Sequence, residues 1–269
     1  MTGSQKMHSV LMEIGFDDAD LRVLEIAREE RCDIFQDGPH RGFHGYGNAW
    51  WSNLDCPYAY KYLSIDSLYP AQYFGPGVGH PDDAAAAELY AYMQSTYATL
   101  FGREFHSILE LGTGGGEITR QFAAHEIDYA AVEGTEAGVA ALLANGIDER
   151  RIVRSNLKFL PPLGRMFDIA MCTEVAEHVE PFFASKVVDN CIRHAEVVWF
   201  SAADRNRRAH YHHMNEIHIE AWDNLFAHMG FPYLVPLNGL HERASRLYLS
   251  DRVGTAFKRQ ITEWQASGG

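Results

Sequence analysis

From Asp82 onward the apolar residues fall by turns into helical and strand spacing. Pro81, Asp82 and Asp83 form a helix start, and the pattern predicts a helix from Ala84 to about Phe101. Ser107–Leu111 is a short apolar run, read as a strand, and a helix is expected from Gly116 to His125. Tyr129–Val132 reads as a second strand, and Glu136–Asn145 as a helix closed by Gly146. Arg151–Val153 and Phe167–Cys172 are the third and fourth strands, the latter followed by a helix across Val175 and Val179. Val197–Ser201 is the fifth strand, Trp222–Met229 a helix ending at Gly230, and Tyr233–Leu237 and Arg246–Leu249 the last two strands. Strands alternating with helices predict an α/β fold: a seven-stranded, mainly parallel sheet with helices on both faces.

Residues 1–80 break this rhythm. Asp17–Arg31 fits a helix, with Leu21, Leu24 and Ile26 near helical spacing. Asp37–Gly79 is loop-rich and holds Trp50, Trp51, Tyr58, Tyr60, Tyr62, Tyr69, Tyr73 and Phe74. Such a segment can wall a pocket for a flat organic molecule, form a homodimer interface, or pack on the core. The chain therefore divides into an N-terminal lid or dimerisation segment (1–80) and an α/β domain (81–269).

Composition narrows the setting. At 46% hydrophobic residues the chain can fill a core, yet no apolar run approaches the roughly 20 residues that span a bilayer. Met1–Glu13 lacks the apolar stretch of a signal peptide, so no membrane partner and a cytoplasmic location are expected. The 4 cysteines, Cys32, Cys56, Cys172 and Cys191, form no CxxC pair. Cys172 and Cys191 read as buried thiols. A net charge of −13 repels phosphate backbones and argues against a nucleic-acid partner. The short basic cluster Arg205, Arg207 and Arg208 reads as a solvated loop.

The chemistry concentrates where the first strand ends. Within Ser107–Thr119, Glu110 precedes Gly112, Thr113, Gly114 and Gly116, and a helix begins directly after. Glycines there let the backbone turn sharply and approach a ligand. A carboxylate at that spot repels a pyrophosphate and attracts an ammonium. Glu133, before Gly134 at the end of the second strand, can accept hydrogen bonds from both hydroxyls of a ribose. The two carboxylates suit an adenosyl ligand that carries an amino acid.

This segment resembles the E/D-x-G-x-G-x-G signature of class I, Rossmann-like S-adenosylmethionine-dependent methyltransferases, over roughly residues 84–250. The resemblance implies cofactor contacts from Glu110, Gly112, Thr113, Gly114 and Gly116, and from Glu133 and Gly134 to the ribose. It also implies an adenine contact at Asn156 and Leu157, where the family more often has an acid, and contacts from Thr173 and Glu174 at the end of the fourth strand. Residues 1–80 match no family pattern.

After that fourth strand, Glu174, Glu177 and His178 stand at i, i+3 and i+4, which on a helix is one face. Such a set can hold a divalent metal, supply a general base for a hydroxyl, or merely cap and brace the turn. It resembles the E-V-x-E-H segment of small-molecule O-methyltransferases and of small-RNA 2′-O-methyltransferases. In ubiquinone-pathway O-methyltransferases and the small-RNA enzymes the matching residues bind a metal together with a later histidine, whereas many other relatives carry the same letters without one. His210-Tyr211-His212-His213-Met214-Asn215-Glu216-Ile217-His218 resembles a segment of natural-product and sugar methyltransferases, and makes His213 and His218 candidates to complete a metal site. His178 and Glu177 are the catalytic candidates.

The expectation is methyl transfer from S-adenosylmethionine to a small molecule, foremost O-methylation in secondary metabolism. N- or C-methylation stays open. A nucleotide-dependent oxidoreductase and a non-catalytic cofactor-binding protein are the readings from other classes.

Overall fold

The computed structural model describes Tyr69, Phe74 and residues 82–179, 183–203, 215, 217–237 and 245–267. The expected helix over Asp17–Arg31, most of the N-terminal aromatic residues, Cys32, Cys56, the arginine cluster and His213 lie outside those residues.

Helix α1 (Asp83–Phe101) opens where Asp82 accepts a 2.8 Å hydrogen bond from the Ala85 amide. It ends at Gly102, whose φ of 71° closes the last turn. Its Leu89, Tyr90, Met93, Tyr97 and Leu100 recur at helical spacing and are buried. Strand β1 (Ser107–Leu111) leads to α2 (Glu117–Ala124), β2 (Asp128–Glu133) and α3 (Glu136–Ala144). Then come β3 (Ile152–Arg154), β4 (Ile169–Thr173), α4 (Ala184–Ile192) and β5 (Val197–Ser201). The chain ends in α5 (Ile219–His228), β6 (Tyr233–Leu237), β7 (Ser245–Leu249), α6 (Asp251–Ala256) and α7 (Lys258–Ser267).

The seven strands form one sheet in the order β3-β2-β1-β4-β5-β7-β6. β1 to β5 are parallel, and β7 runs antiparallel between β5 and β6. The expected seven-stranded, mainly parallel α/β architecture is thus the observed one. Strand alternation sorts the core into two layers. Ile108, Ile169, Met171 and Trp199 face α1, α2 and α7, while Leu109, Leu111, Cys172 and Phe200 face α4 and α5. Cys172 and Cys191 are free, buried thiols in the second layer.

One predicted element is absent. Among the described residues, 175–179 form no α-helix. Glu174 takes a left-handed φ of 57°, and Ala176–His178 forms one 3-10 turn. Helix α4 starts only at Ala184. The order of the strands turns outward on either side between β1 and β4, and in such sheets ligands bind in the crevice beyond the strand ends at that point. Among the described residues, no helix is long and apolar enough to cross a membrane.

Candidate active site

The glycine loop is built as its spacing requires. Gly112, Gly114 and Gly116 have φ of 78°, 55° and 84°, a region costly for other residues. Gly112 also has no room for a side chain, because a Cβ there would stand 2.5 Å from Cγ2 of Val175. Asn145 of the segment after α3 donates a 2.7 Å hydrogen bond to the Gly115 carbonyl and pins the loop.

Glu110 lies within β1, 3% exposed, facing α2. Thr119, in the first turns of α2, donates a 2.6 Å hydrogen bond to its Oε2. Burial pushes the Glu110 carboxyl up to about 8; the Thr119 bond opposes this, and the charges of Glu117 and Glu133 add to it. Glu133 ends β2, also buried. Its Oε1 accepts from the Thr135 amide at 2.9 Å and the Thr135 hydroxyl at 2.8 Å, and Oε2 lies 3.4 Å from the Thr113 hydroxyl. Burial raises its carboxyl and these bonds hold it back. Both acids therefore sit at neighbouring strand ends (Glu110 pairs with Ala131 and Glu133 with Arg154), beside the loop.

Asn156 follows β3, half-buried. Its Oδ1 accepts from the Lys158 amide at 3.0 Å, which leaves the side-chain NH₂ available to donate. Leu157 is 7% exposed, its carbonyl held by Asn190 at 2.6 Å.

The acidic-histidine segment departs from the expected helix face. Because Glu174 is left-handed and a 3-10 turn follows, Glu174, Glu177 and His178 do not share one stripe. Glu174 turns to β5: its amide donates to the Ser201 carbonyl at 3.0 Å, and its Oε1 accepts from the Ser201 hydroxyl at 2.8 Å. Glu177 is fully buried and its carboxylate has no side-chain partner. Burial, and then the charge of Glu174, hold its carboxyl well above the usual range. His178 remains half-exposed, with the edge of Tyr69 on its ring at a centroid distance of 5.9 Å.

Sequence reasoning did not find Asn215. It is 1% exposed, its amide donates to the Glu177 carbonyl at 2.9 Å, and its side chain has no partner. Among the described residues, no three His, Cys, Asp or Glu side chains gather as metal ligands. Glu174, Glu177, His178 and His218 are thus not gathered as such a set, and His213, the remaining candidate, lies outside the described residues.

Residues 109–196 match the family described as "Methyltransferase domain". No curated protein matches the chain. The fold is similar to that of Streptomyces venezuelae DesVI, 16% identical over 70% of this chain and 97% of that one, TM-score 0.52. It is similar to the sugar N-methyltransferase KedS8 from Streptoalloteichus sp ATCC 53650, 17% identical over 66% and 91%, TM-score 0.54. It is also similar to the plantazolicin methyltransferase BpumL, solved with S-adenosylhomocysteine, 11% identical over 83% and 98%, TM-score 0.51. The family match runs from within β1 to the residue before β5, and the likeness to the three structures is one of fold.

Proposed function

We propose that the protein transfers a methyl group from S-adenosylmethionine to a hydroxyl of a small molecule. The observation that carries this reading is the pair of buried carboxylates, Glu110 and Glu133, on either side of a loop with three left-handed glycines. S-adenosylmethionine supplies an electrophilic methyl on a sulfonium. Glu110 holds its ammonium, Glu133 its ribose, and the Asn156 amide its adenine. Gly112, Thr113, Gly114 and Gly116 give the backbone close approach, while Gly134, Leu157, Thr173 and Glu174 line the crevice. A hydroxyl is a poor nucleophile until it loses its proton, so the half-exposed His178 takes that proton as general base. Glu177 braces the turn that carries His178 from beneath. Residues 1–80 close over the acceptor and exclude water, an arrangement supported by Tyr69 against His178.

The names of KedS8 and BpumL, a sugar and a plantazolicin methyltransferase, favour a small-molecule acceptor in natural-product biosynthesis. Calorimetry with S-adenosylhomocysteine and with NADH tests the cofactor, and only the former should bind. Mass spectrometry over a panel of alcohols, phenols and amino sugars tests the acceptor. His178→Gln should abolish hydroxyl methylation and leave S-adenosylhomocysteine affinity unchanged; methylation confined to amines would replace the hydroxyl assignment.

A further inference from the structure

We infer that Gly138 and Thr135 are positioning residues that set the ribose-binding carboxylate of Glu133, an inference that rests on the ribose role proposed above. Gly138 lies inside α3, in the middle of Glu136–Ala144. Its φ is not left-handed, so backbone conformation does not call for glycine there. Space does. A Cβ built on Gly138 would stand 2.6 Å from Cδ and 2.7 Å from Cγ of Glu133, and 2.7 Å from Oγ1 of Thr135. The side chain of Glu133 thus lies in the notch left by the missing Cβ.

Thr135 completes the seat. As N-cap of α3 its Oγ1 accepts a 2.9 Å hydrogen bond from the Gly138 amide and donates a 2.8 Å bond to Oε1 of Glu133. The hydroxyl has one proton, and the Gly138 amide fixes which lone pair is used, so that proton is aimed at the carboxylate. The Thr135 amide adds a second bond to the same oxygen at 2.9 Å. With Oε1 held by two donors, Oε2, 3.4 Å from the Thr113 hydroxyl, is the oxygen left to accept from a ribose hydroxyl. A ribose hydroxyl can be met at that oxygen only if the carboxylate plane is fixed, because hydrogen bonds of this kind tolerate little angular error.

Helix propensity and seat geometry predict opposite outcomes for Gly138→Ala. Alanine is the better helix former and the nearest atoms are side chains rather than backbone, but one of them is the hydroxyl that caps the same helix, so the fold should hold with little change in melting temperature. The Glu133 carboxylate, however, must leave its place. The expected result is a loss of S-adenosylhomocysteine affinity of about tenfold or more by calorimetry. The variant should also lose discrimination between 5′-methylthioadenosine and its 2′-deoxy and 3′-deoxy counterparts, which the wild type should bind more weakly than the parent. Thr135→Ala should weaken S-adenosylhomocysteine similarly, and Thr135→Ser, which keeps the hydroxyl, should restore it. Wild-type affinity and discrimination in Gly138→Ala would overturn the seat and leave the cofactor assignment standing. A wild type indifferent to the ribose hydroxyls would overturn both the seat and the role of Glu133.

Discussion

The hydroxyl of Thr119 reaches across from α2 to donate a 2.6 Å hydrogen bond to Glu110, a carboxyl that is 3% exposed. Burial raises that carboxyl to about 8, against the pull of Thr119 and with the charges of Glu117 and Glu133 adding to the rise. Near pH 7 the empty site therefore keeps Glu110 mostly protonated. An ammonium is held by the ionised form, so ligand binding must expel that proton. Affinity for S-adenosylhomocysteine should weaken as pH falls from about 8 to 6. Calorimetry in buffers of different ionisation heat should detect the released proton. Glu110→Gln should bind poorly at every pH, and a wild-type affinity flat across this range would remove Glu110 as the ammonium partner.

Glu133 gives a simpler test. Glu133→Ala removes the proposed ribose acceptor and leaves the Thr113 and Thr135 hydroxyls without it. Hydrogen bonds to a charged acceptor are worth about 1–3 kcal/mol. The dissociation constant for S-adenosylhomocysteine should rise by about that amount, or 5- to 150-fold. An unchanged constant excludes Glu133 from the site.

Much of this site was legible in the sequence because strands and glycine turns have local signatures. Ser107–Leu111 and Val197–Ser201 are rich in buried apolar residues, as strands covered on both faces are, and both fall where expected. The turn after β4 was misread because Glu174, Val175, Glu177 and His178 fit helical spacing. Its signal lay downstream: Pro181 disfavours helix at the residue before it and limits any helix begun at Glu174. The helices α6 and α7 also escaped sequence reading, although Ser250 caps the first by accepting from the Val253 amide at 3.2 Å. The partnership of Glu177 with Asn215 spans 38 positions and has no local pattern (215 − 177). Gly138 reads in sequence only as a weak helix residue. Its meaning appears when Glu133 is seen in the space above it.

Glu177 is a buried acid with no side-chain partner for its carboxylate, and such a group is stabilised by removing its charge. Its folded carboxyl is raised, first by burial and then by Glu174. A raised group binds more protons folded than unfolded, so its stabilising share is complete below the unfolded value, near 4.5, and is lost as pH rises through the folded value. Glu177→Gln should therefore melt at least as high as the wild type at pH 8 and show a flatter fall of melting temperature with pH. Turnover should drop by about tenfold, the cost of roughly 1.4 kcal/mol in the barrier, through a misplaced His178. A variant that melts lower at pH 8 would show that the carboxylate is paired after all.

Asp168 works at the opposite edge of the sheet. Its carboxylate accepts from Arg103 at 2.7 Å and from the amides of His106 and Ser107 at 2.8 and 3.1 Å, tying the start of β4 to the start of β1. Burial favours its protonated form, but Arg103 and the two amides outweigh it and lower the carboxyl. Its stabilising share is thus present above the unfolded value and is lost as pH falls through the folded one. Asp168→Asn should cost about 1–3 kcal/mol at pH 7 in urea titration. That difference should shrink in acid, and S-adenosylhomocysteine affinity should not change. A loss that persists undiminished at low pH would point to packing instead of charge.

Tyr69 is 9% exposed and meets His178 edge-on at 74° between ring planes, so a residue of the N-terminal segment touches the proposed base. If residues 1–80 close the acceptor site, deleting them should abolish turnover and leave S-adenosylhomocysteine binding, since Glu110, Glu133 and the glycine loop all lie in the remaining domain. Tyr69→Ala in the full chain separates a local effect from a global one. It should raise the KM for the acceptor by about 2- to 12-fold, the scale of losing an aromatic contact of 0.5–1.5 kcal/mol. The dissociation constant for S-adenosylhomocysteine should stay the same. Full activity of the truncated enzyme, measured on any acceptor the intact chain methylates, would refute the lid and leave the cofactor site untouched.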